Sequence, residues 1–228
     1  MLLGRRPLGT VAYMGGVPAV LEQFCWSWSQ MVSFNCEALD TNTDYVHYNR
    51  VTYSDHAPAR NKLAADMLGN WILMLDTDHQ FDPDILARIL RLAETTGAEV
   101  ISGLYRFKMP PYSAVAYAAE GDSQQPIMSW SDDVDLIEVS ATGGGCLWFT
   151  RNVYNQLMDK YNCGPFDRFP GVSEDHSFYK RCRELEIKTY LAPHIEAQHL
   201  RIVPVTQADC DDTFLDTKPL QVGGFSNG

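Results

Sequence analysis

The sequence predicts an α/β protein with three layers, in which helices cover both faces of a central sheet. Strand-like and helix-like segments alternate through roughly the first 75 residues, and Trp71 to Leu75 form an unbroken apolar run. Such a run is typical of a central strand buried on both faces. Short strands dominate the second half. We expect one domain at 1–207, divided into halves at about 1–107 and 108–207, and a polar C-terminal tail at 208–228.

Composition supports one folded, soluble unit. Of the 228 residues, 45% are hydrophobic and only 21% are charged, which argues against disorder. A net charge of -11 disfavours nucleic acid as a partner. The six cysteines form no C-x-x-C pair, which fits a reducing cytoplasm. The start of the chain lacks the apolar core of a signal peptide, and no apolar run is long enough for a membrane span.

In the first half, strands are expected at 10–13, 45–52, 71–75 and 99–105, with helices between them. Arg60 falls in the second helix. The third helix should begin at Asp82, an N-cap before Pro83, and end at Gly97. In the second half, strands are expected at 113–117, 126–130, 136–140 and 146–150, and helices at 152–160 and 174–186.

Two carboxylates, Asp76 and Asp78, directly follow the apolar strand. This end of a strand faces the ligand crevice in open α/β sheets. Alternate side chains of an extended segment point the same way, so the pair is suited to sharing a divalent metal. The alternative is a solvated turn. A second D-x-D pair, Asp133 and Asp135, lacks a preceding apolar strand, and we interpret it as solvated surface.

Three other segments contain residue types that are typical of ligand binding, catalysis or metal coordination. Gly143 to Gly145 allow close backbone approach to a sugar or phosphate, although a tight bend explains them equally well. Glu174 and Asp175 follow Ser173, the expected N-cap of a helix, so they either complement the helix dipole or supply a general base. His194 and His199 follow a short strand, and one of them is a candidate metal ligand. Imidazole with carboxylate suits manganese better than magnesium.

In their order along residues 10 to 200, these segments resemble the GT-A fold glycosyltransferases, in particular the small soluble family-two-like enzymes of bacteria, archaea and their viruses. The resemblance is carried by Arg60-Asn61, Asp76-Thr77-Asp78, Ser102 to Arg106, Thr142 to Arg151, Ser173 to Asp175, and His199. It implies a Rossmann-like nucleotide-binding half followed by a mixed-sheet acceptor half. It also implies an enzyme that transfers a single sugar from a nucleotide-sugar to a hydroxyl acceptor with inversion, in the cytoplasm of a bacterial, archaeal or virus-infected cell.

The resemblance also implies roles for single residues. Asp175 matches the general base, and Glu174 its neighbour that orients the acceptor or a loop. The implied metal, Mn²⁺ or Mg²⁺, is held by Asp76, Asp78 and His199, with His194 as second choice. Tyr13 is the implied stacking partner of the base. The donor-binding residues are Ala12, Tyr13, Met14, Arg60, Asp76, Thr77, Asp78, Arg106, Gly143, Gly144 and Gly145.

The chain departs from the family at the end of the second strand, where many relatives recognise uracil through an acidic residue. Asp44 and Asp55 are possible substitutes. We expect a UDP-sugar rather than a GDP-sugar as donor, and a glycan, protein or small-molecule hydroxyl as acceptor. One alternative is a nucleotidyltransferase, although Met14 to Pro18 lack the basic residues of the loop that such enzymes carry. The other is a non-catalytic module that binds a nucleotide-sugar or glycan.

Overall fold

The computed structural model describes residues 5–15, 21–38, 44–52, 55–120 and 123–201. Five helices lie in these ranges: α1 (Glu22–Ala38), α2 (His56–Ala65), α3 (Ile85–Thr96), α4 (Arg151–Lys160) and α5 (Glu174–Glu184). Eleven strands accompany them: β1 (Arg6–Met14), β2 (Asp44–Val51), β3 (Trp71–Asp76), β4 (His79–Phe81), β5 (Val100–Leu104), β6 (Ala116–Glu120), β7 (Ser123–Pro126), β8 (Ile137–Val139), β9 (Ala141–Thr142), β10 (Cys146–Thr150) and β11 (Thr189–His199).

Eight strands form the main sheet, in the order β2-β1-β3-β10-β5-β11-β4, with β8 also pairing with β11. β1 is parallel to both β2 and β3, whereas β10 is antiparallel to its neighbours β3 and β5. The long strand β11 runs parallel to β5 and antiparallel to β4. A smaller sheet contains β7, β6 and β9. The main sheet is therefore mixed and takes strands from both predicted halves.

Side-chain alternation along β3 divides the core into two layers. Leu73 and Leu75 pack on the side of α1 and α3, whereas Ile72 and Met74 pack on the side of α2, α4 and α5. All four side chains are buried, as the unbroken apolar run of this strand predicts. The three-layer fold class predicted from the sequence is confirmed.

Three local expectations differ from the structure. α3 begins at Ile85 with Asp84 as its N-cap, so the predicted cap at Asp82 is wrong. Asp82 instead accepts the Ile85 amide through its carbonyl, because Pro83 and Asp84 add one turn before the helix. Residues 127–130 are not a strand, and β7 lies just before them. His79–Phe81, for which no strand is expected, pair with the end of β11 as β4.

The predicted tail at 208–228 lies outside the described residues. The extent of the domain and its division into halves stay predictions. Within the part of the chain that the structure describes, no helix combines the length and the apolar character that crossing a bilayer requires.

Candidate active site

A buried arginine connects three segments at the carboxyl end of β3. Arg60 of α2 donates to both carboxylate oxygens of Asp76, at 3.0 and 3.1 Å, and to the carbonyl of Gly144 at 2.7 Å. Its Nε lies 3.6 Å from Glu174. Burial lowers the pKa of Arg60, but the carboxylates of Asp76, Glu174 and Asp175 raise it more, so the net shift is upward. The guanidinium therefore stays charged and fixes Asp76.

Asp78 has different neighbours, because Thr77 and Asp78 form a turn after β3 rather than continuing the extended strand. Its carboxylate lies 3.0 Å from Nδ1 of His79, 3.3 Å from Nε2 of His199 and 2.6 Å from Nζ of Lys108. Burial raises the pKa of Asp78, but the hydrogen bonds from His199 and Lys108, together with the close His79 ring, hold it well below its usual range. The site thus keeps an ionised carboxylate beside two imidazoles.

These neighbours form a cluster suited to a metal ion. Ligand atoms of Asp78, His79 and His199 lie within 4.8 Å of one another. The His79 ring is buried and stacks on His199, with centroids 4.5 Å apart. Despite the short contact with Asp78, neither nitrogen of His79 has a partner in hydrogen-bond geometry among the described residues. Buried polar atoms without partners are rare, so an additional partner is expected here. One carboxylate and two imidazoles suit Mn²⁺, and Mg²⁺ less well.

The predicted ligands divide into two groups. Asp78 and His199 share the cluster, but Asp76 faces Arg60 and would have to leave it to become a direct ligand. His194 is exposed on β11 and is not a member of the cluster. The expectation that Asp76 and Asp78 share one ion assumed an extended backbone, which the turn at Thr77 replaces.

The three glycines are packed against side chains of the site. A Cβ on Gly143 would come within 1.5 Å of the Tyr105 hydroxyl, one on Gly144 within 2.5 Å of the Arg60 guanidinium, and one on Gly145 within 2.6 Å of the His79 ring. The structure thus supplies a packing reason for the glycine run. Contact of its backbone with a donor stays a prediction.

Glu174 and Asp175 begin α5, as predicted, with Ser173 as N-cap. Glu174 is buried between Arg60 and Arg168, which lie 3.6 Å from its two oxygens. Asp175 is half-buried, and its Oδ1 accepts from the Ser173 hydroxyl and from the His176 amide. Among the described residues, Oδ2 accepts no hydrogen bond, and it faces Gly143. One oxygen of Asp175 is therefore available as a proton acceptor.

The residues of β1 predicted to contact the donor lie mainly in the core. Ala12 and Met14 are buried under α2, and Ala12 has no exposed surface with which to contact a ligand. The Tyr13 ring packs edge-on against Phe24 and Trp28, at 5.3 and 4.9 Å between centroids. Stacking of Tyr13 on a base would have to use the rest of its half-buried surface.

The two candidate base-recognition acids lie at opposite ends of the sheet. Asp44 pairs with Arg6 at the amino end of β1, away from the site. Asp55 caps α2 just after β2, and Arg168 donates to both its oxygens, at 2.7 and 3.0 Å. Only Asp55 is on the edge of the sheet where Asp76 lies.

Sequence reasoning missed His79, Tyr105 and Lys108. His79 directly follows the D-x-D pair, which is a usable signal for a metal ligand. Tyr105 packs edge-on against His79 with centroids 4.9 Å apart and accepts the Gly145 amide at 3.4 Å. Nothing in the sequence indicates that Lys108 reaches Asp78 across 30 positions. Arg106 is exposed nearby, and its carbonyl contacts His199 at 2.9 Å.

This geometry places a candidate metal cluster close to a candidate general base, and comparison with known proteins identifies the family. Residues 36–157 match the family described as Glycosyl transferase family 2, which is more than half of the chain. The chain belongs to this family. Glycosyl transfer from a nucleotide-sugar to an acceptor is therefore the reaction class that the domain supports, as the sequence resemblance implied.

Two solved structures share the fold. The crystal structure of A197 from STIV is 17% identical with a TM-score of 0.55, and the match covers 85% of this chain and 86% of that one. The inositol-1-phosphate CTP transferase from T. maritima is 10% identical with a TM-score of 0.50, covering 92% and 94%. At these identities the likeness shows the fold alone. No curated protein matches the sequence.

Proposed function

We propose that this family 2 domain is a metal-dependent enzyme that transfers one sugar from a nucleotide-sugar to a hydroxyl acceptor with inversion. The observation that supports this best is the arrangement around Gly143 to Gly145. Gly145 lies against His79 of the Asp78, His79 and His199 cluster, and Gly143 lies against the available oxygen of Asp175. A candidate metal site and a candidate base therefore lie on either side of one short segment.

In this proposal, Asp78, His79 and His199 hold Mn²⁺ or Mg²⁺. The bound ion supplies Lewis-acid stabilisation of charge on the departing nucleoside diphosphate. Asp76 keeps Arg60 in place near the nucleotide. Oδ2 of Asp175 takes the proton of the acceptor hydroxyl, while Ser173 and the His176 amide hold Oδ1 and so fix the direction of the carboxylate.

The proposal also specifies the donor, the acceptor and the location of the enzyme. Asp55 follows the carboxyl end of β2, on the edge of the sheet where Asp76 lies, and this position favours it over Asp44 as a base-recognition acid, and with it a UDP-sugar over a GDP-sugar. A glycan, protein or small-molecule hydroxyl is the acceptor, and the cytoplasm is the location.

The test has two stages. Thermal shift with UDP, GDP and their sugars, with and without Mn²⁺, identifies the donor, because a ligand specific for the native state raises the melting temperature. Transfer is then measured in Asp78→Ala and Asp175→Asn, with Asp135→Ala as control, because Asp135 lies in the exposed second D-x-D pair.

Asp78→Ala should abolish the effect of Mn²⁺ on transfer, whereas Asp135→Ala should transfer sugar as the wild type does. Asp175→Asn should bind donor within a few fold of wild type but transfer roughly 10²–10⁴-fold more slowly, as is typical when a general base is lost. Near wild-type transfer by Asp175→Asn would refute the base assignment. Release of pyrophosphate instead of nucleoside diphosphate would identify a nucleotidyltransferase, and binding without any turnover a non-catalytic module.

A further inference from the structure

Lys108 contacts the carboxylate of Asp78, a member of the candidate metal cluster. It lies in the connection between β5 and β6, and its ammonium is 2.6 Å from Oδ2 of Asp78. The same oxygen is 3.3 Å from Nε2 of His199. In the protein without metal, Lys108 is therefore the positive charge that faces the candidate metal ligands.

The ammonium also borders a cationic cleft. This cleft, of about 520 Å³, begins at His199 and is lined by Arg106, Lys108 and Arg201, with Glu196 as the one acidic residue lining it among the described residues. Positive charge is concentrated there although the chain carries a net charge of -11. Such a local excess of cations favours an anionic ligand.

The three cationic side chains of this cleft differ in their hydrogen-bond partners. Arg201 donates to the Lys108 carbonyl and to the Tyr112 hydroxyl, at 3.3 and 3.1 Å, and Arg106 donates to the Tyr112 carbonyl at 3.4 Å. Within the described residues, the Lys108 ammonium has only Asp78 as partner, and its side chain is partly exposed. It sits on a flexible four-carbon stem, so it can leave Asp78 without disturbing the backbone.

A divalent ion and an ammonium group repel each other strongly when both contact one carboxylate oxygen. Binding of the ion must therefore displace Lys108, and the neighbouring cleft is where the stem can place its charge. We infer that Lys108 is a counter-ion that holds the metal-free site and, when metal and donor bind, moves to the diphosphate of the donor. This inference rests on the proposed function and adds a donor-binding residue to it.

For Lys108→Met, the inference predicts opposite changes in two affinities, the affinity for Mn²⁺ and the affinity for a nucleoside diphosphate. Without nucleotide, Mn²⁺ no longer competes with the ammonium, so its affinity should rise by about two- to fivefold, the factor expected for an ion pair of this exposure. In the presence of Mn²⁺, affinity for a nucleoside diphosphate should fall by about tenfold, because a charge-assisted contact is lost.

Calorimetry measures both quantities: titration of Mn²⁺ alone, then of UDP, GDP, CDP and ADP separately at saturating Mn²⁺. Lys188→Met is the matched control, since it removes the same charge from an exposed pair with Glu138 at the other end of β11. Lys108→Arg keeps the charge and should stay close to wild type in both titrations.

Opposite shifts in Lys108→Met, absent from Lys188→Met, support the inference. Unchanged or weakened Mn²⁺ binding, or unchanged diphosphate binding, overturns it. A wild type that binds no Mn²⁺, or binds it equally well after Asp78→Ala, instead contradicts the metal site of the proposed function. The two failures are therefore distinguishable.

Discussion

His79 and His199 illustrate how single side chains form this site. The two rings stack with an interplanar angle of 9°, and both reach the carboxylate of Asp78. His194 is on the same strand as His199, yet it is exposed, and through its backbone carbonyl it accepts a hydrogen bond from Arg88. Two histidines five positions apart on one strand project to opposite sides, because side chains alternate along a strand.

This contrast leads to a prediction about metal affinity. His199→Ala should weaken Mn²⁺ binding, and His79→Ala should do so as well, because each removes one of three ligand groups. His194→Ala should leave affinity unchanged within about twofold, because the substitution is at an exposed site away from the ligands. Titration calorimetry with Mn²⁺ and a nucleoside diphosphate ranks the three variants. A larger loss of Mn²⁺ affinity in His194→Ala than in His199→Ala would identify His194 as the metal ligand instead.

Several residues of the candidate site could be predicted from the sequence. Others could not, and the reasons are physical. Asp78, Asp175 and His199 could be proposed because their order along the chain resembles a family. The separation of Asp76 from the metal cluster could not be proposed, because the turn at Thr77 redirects Asp78 and no local pattern announces this turn. Lys108 reaches Asp78 from a separate loop, and such contacts have no local pattern.

At the scale of elements, a buried arginine anchors the loop that leads to α5. Arg181 donates to the carbonyls of Pro165 and Asp167, at 3.1 and 2.6 Å, and its guanidinium lies over the Phe169 ring. These contacts fix the segment before Ser173 and, with it, the start of the helix that presents Asp175. The alternation of helix and strand was predictable from periodicity, but β4 was not, because three residues show too little pattern.

Arg181→Gln should therefore destabilise the protein by about 2–4 kcal/mol, because buried carbonyls lose charged donors. Arg91→Gln, an exposed change on α3, should cost less than about 0.5 kcal/mol. Denaturant unfolding gives both values, and hydrogen exchange should show faster exchange across residues 163–173 in Arg181→Gln alone. Equal stability of the two variants would show that the loop is held by other contacts.

At the scale of the whole molecule, the protein encloses buried ionisable groups in their neutral form. Burial raises the pKa of Tyr105 and of Tyr179, and it raises the pKa of Cys146 to about 12. A group whose pKa is raised on folding stabilises the native state fully below its unfolded pKa. That stabilisation is lost as pH rises toward the folded value.

The free energy of unfolding should therefore be steady near neutral pH, begin to fall above about pH 8.5, the ordinary pKa of cysteine, and fall more steeply above about pH 10, that of tyrosine. Tyr179→Phe removes one of these groups and should make the decline less steep, whatever its effect at neutral pH. Urea unfolding at a series of pH values between 8 and 11 measures the slope. The same slope in Tyr179→Phe and wild type would contradict the role of this phenol.

The pairing of β4 with β11 places His199 directly opposite His79, followed inward by Gln198 opposite Gln80 and Ala197 opposite Phe81. A shift of one residue in this pairing would turn His199 to the other face of the strand. The length of residues 195–198 is therefore more constrained than the identity of the exposed residues in this segment. Substitutions of exposed residues such as Gln198 leave His199 opposite His79, whereas the insertion or deletion of one residue turns His199 away from Asp78.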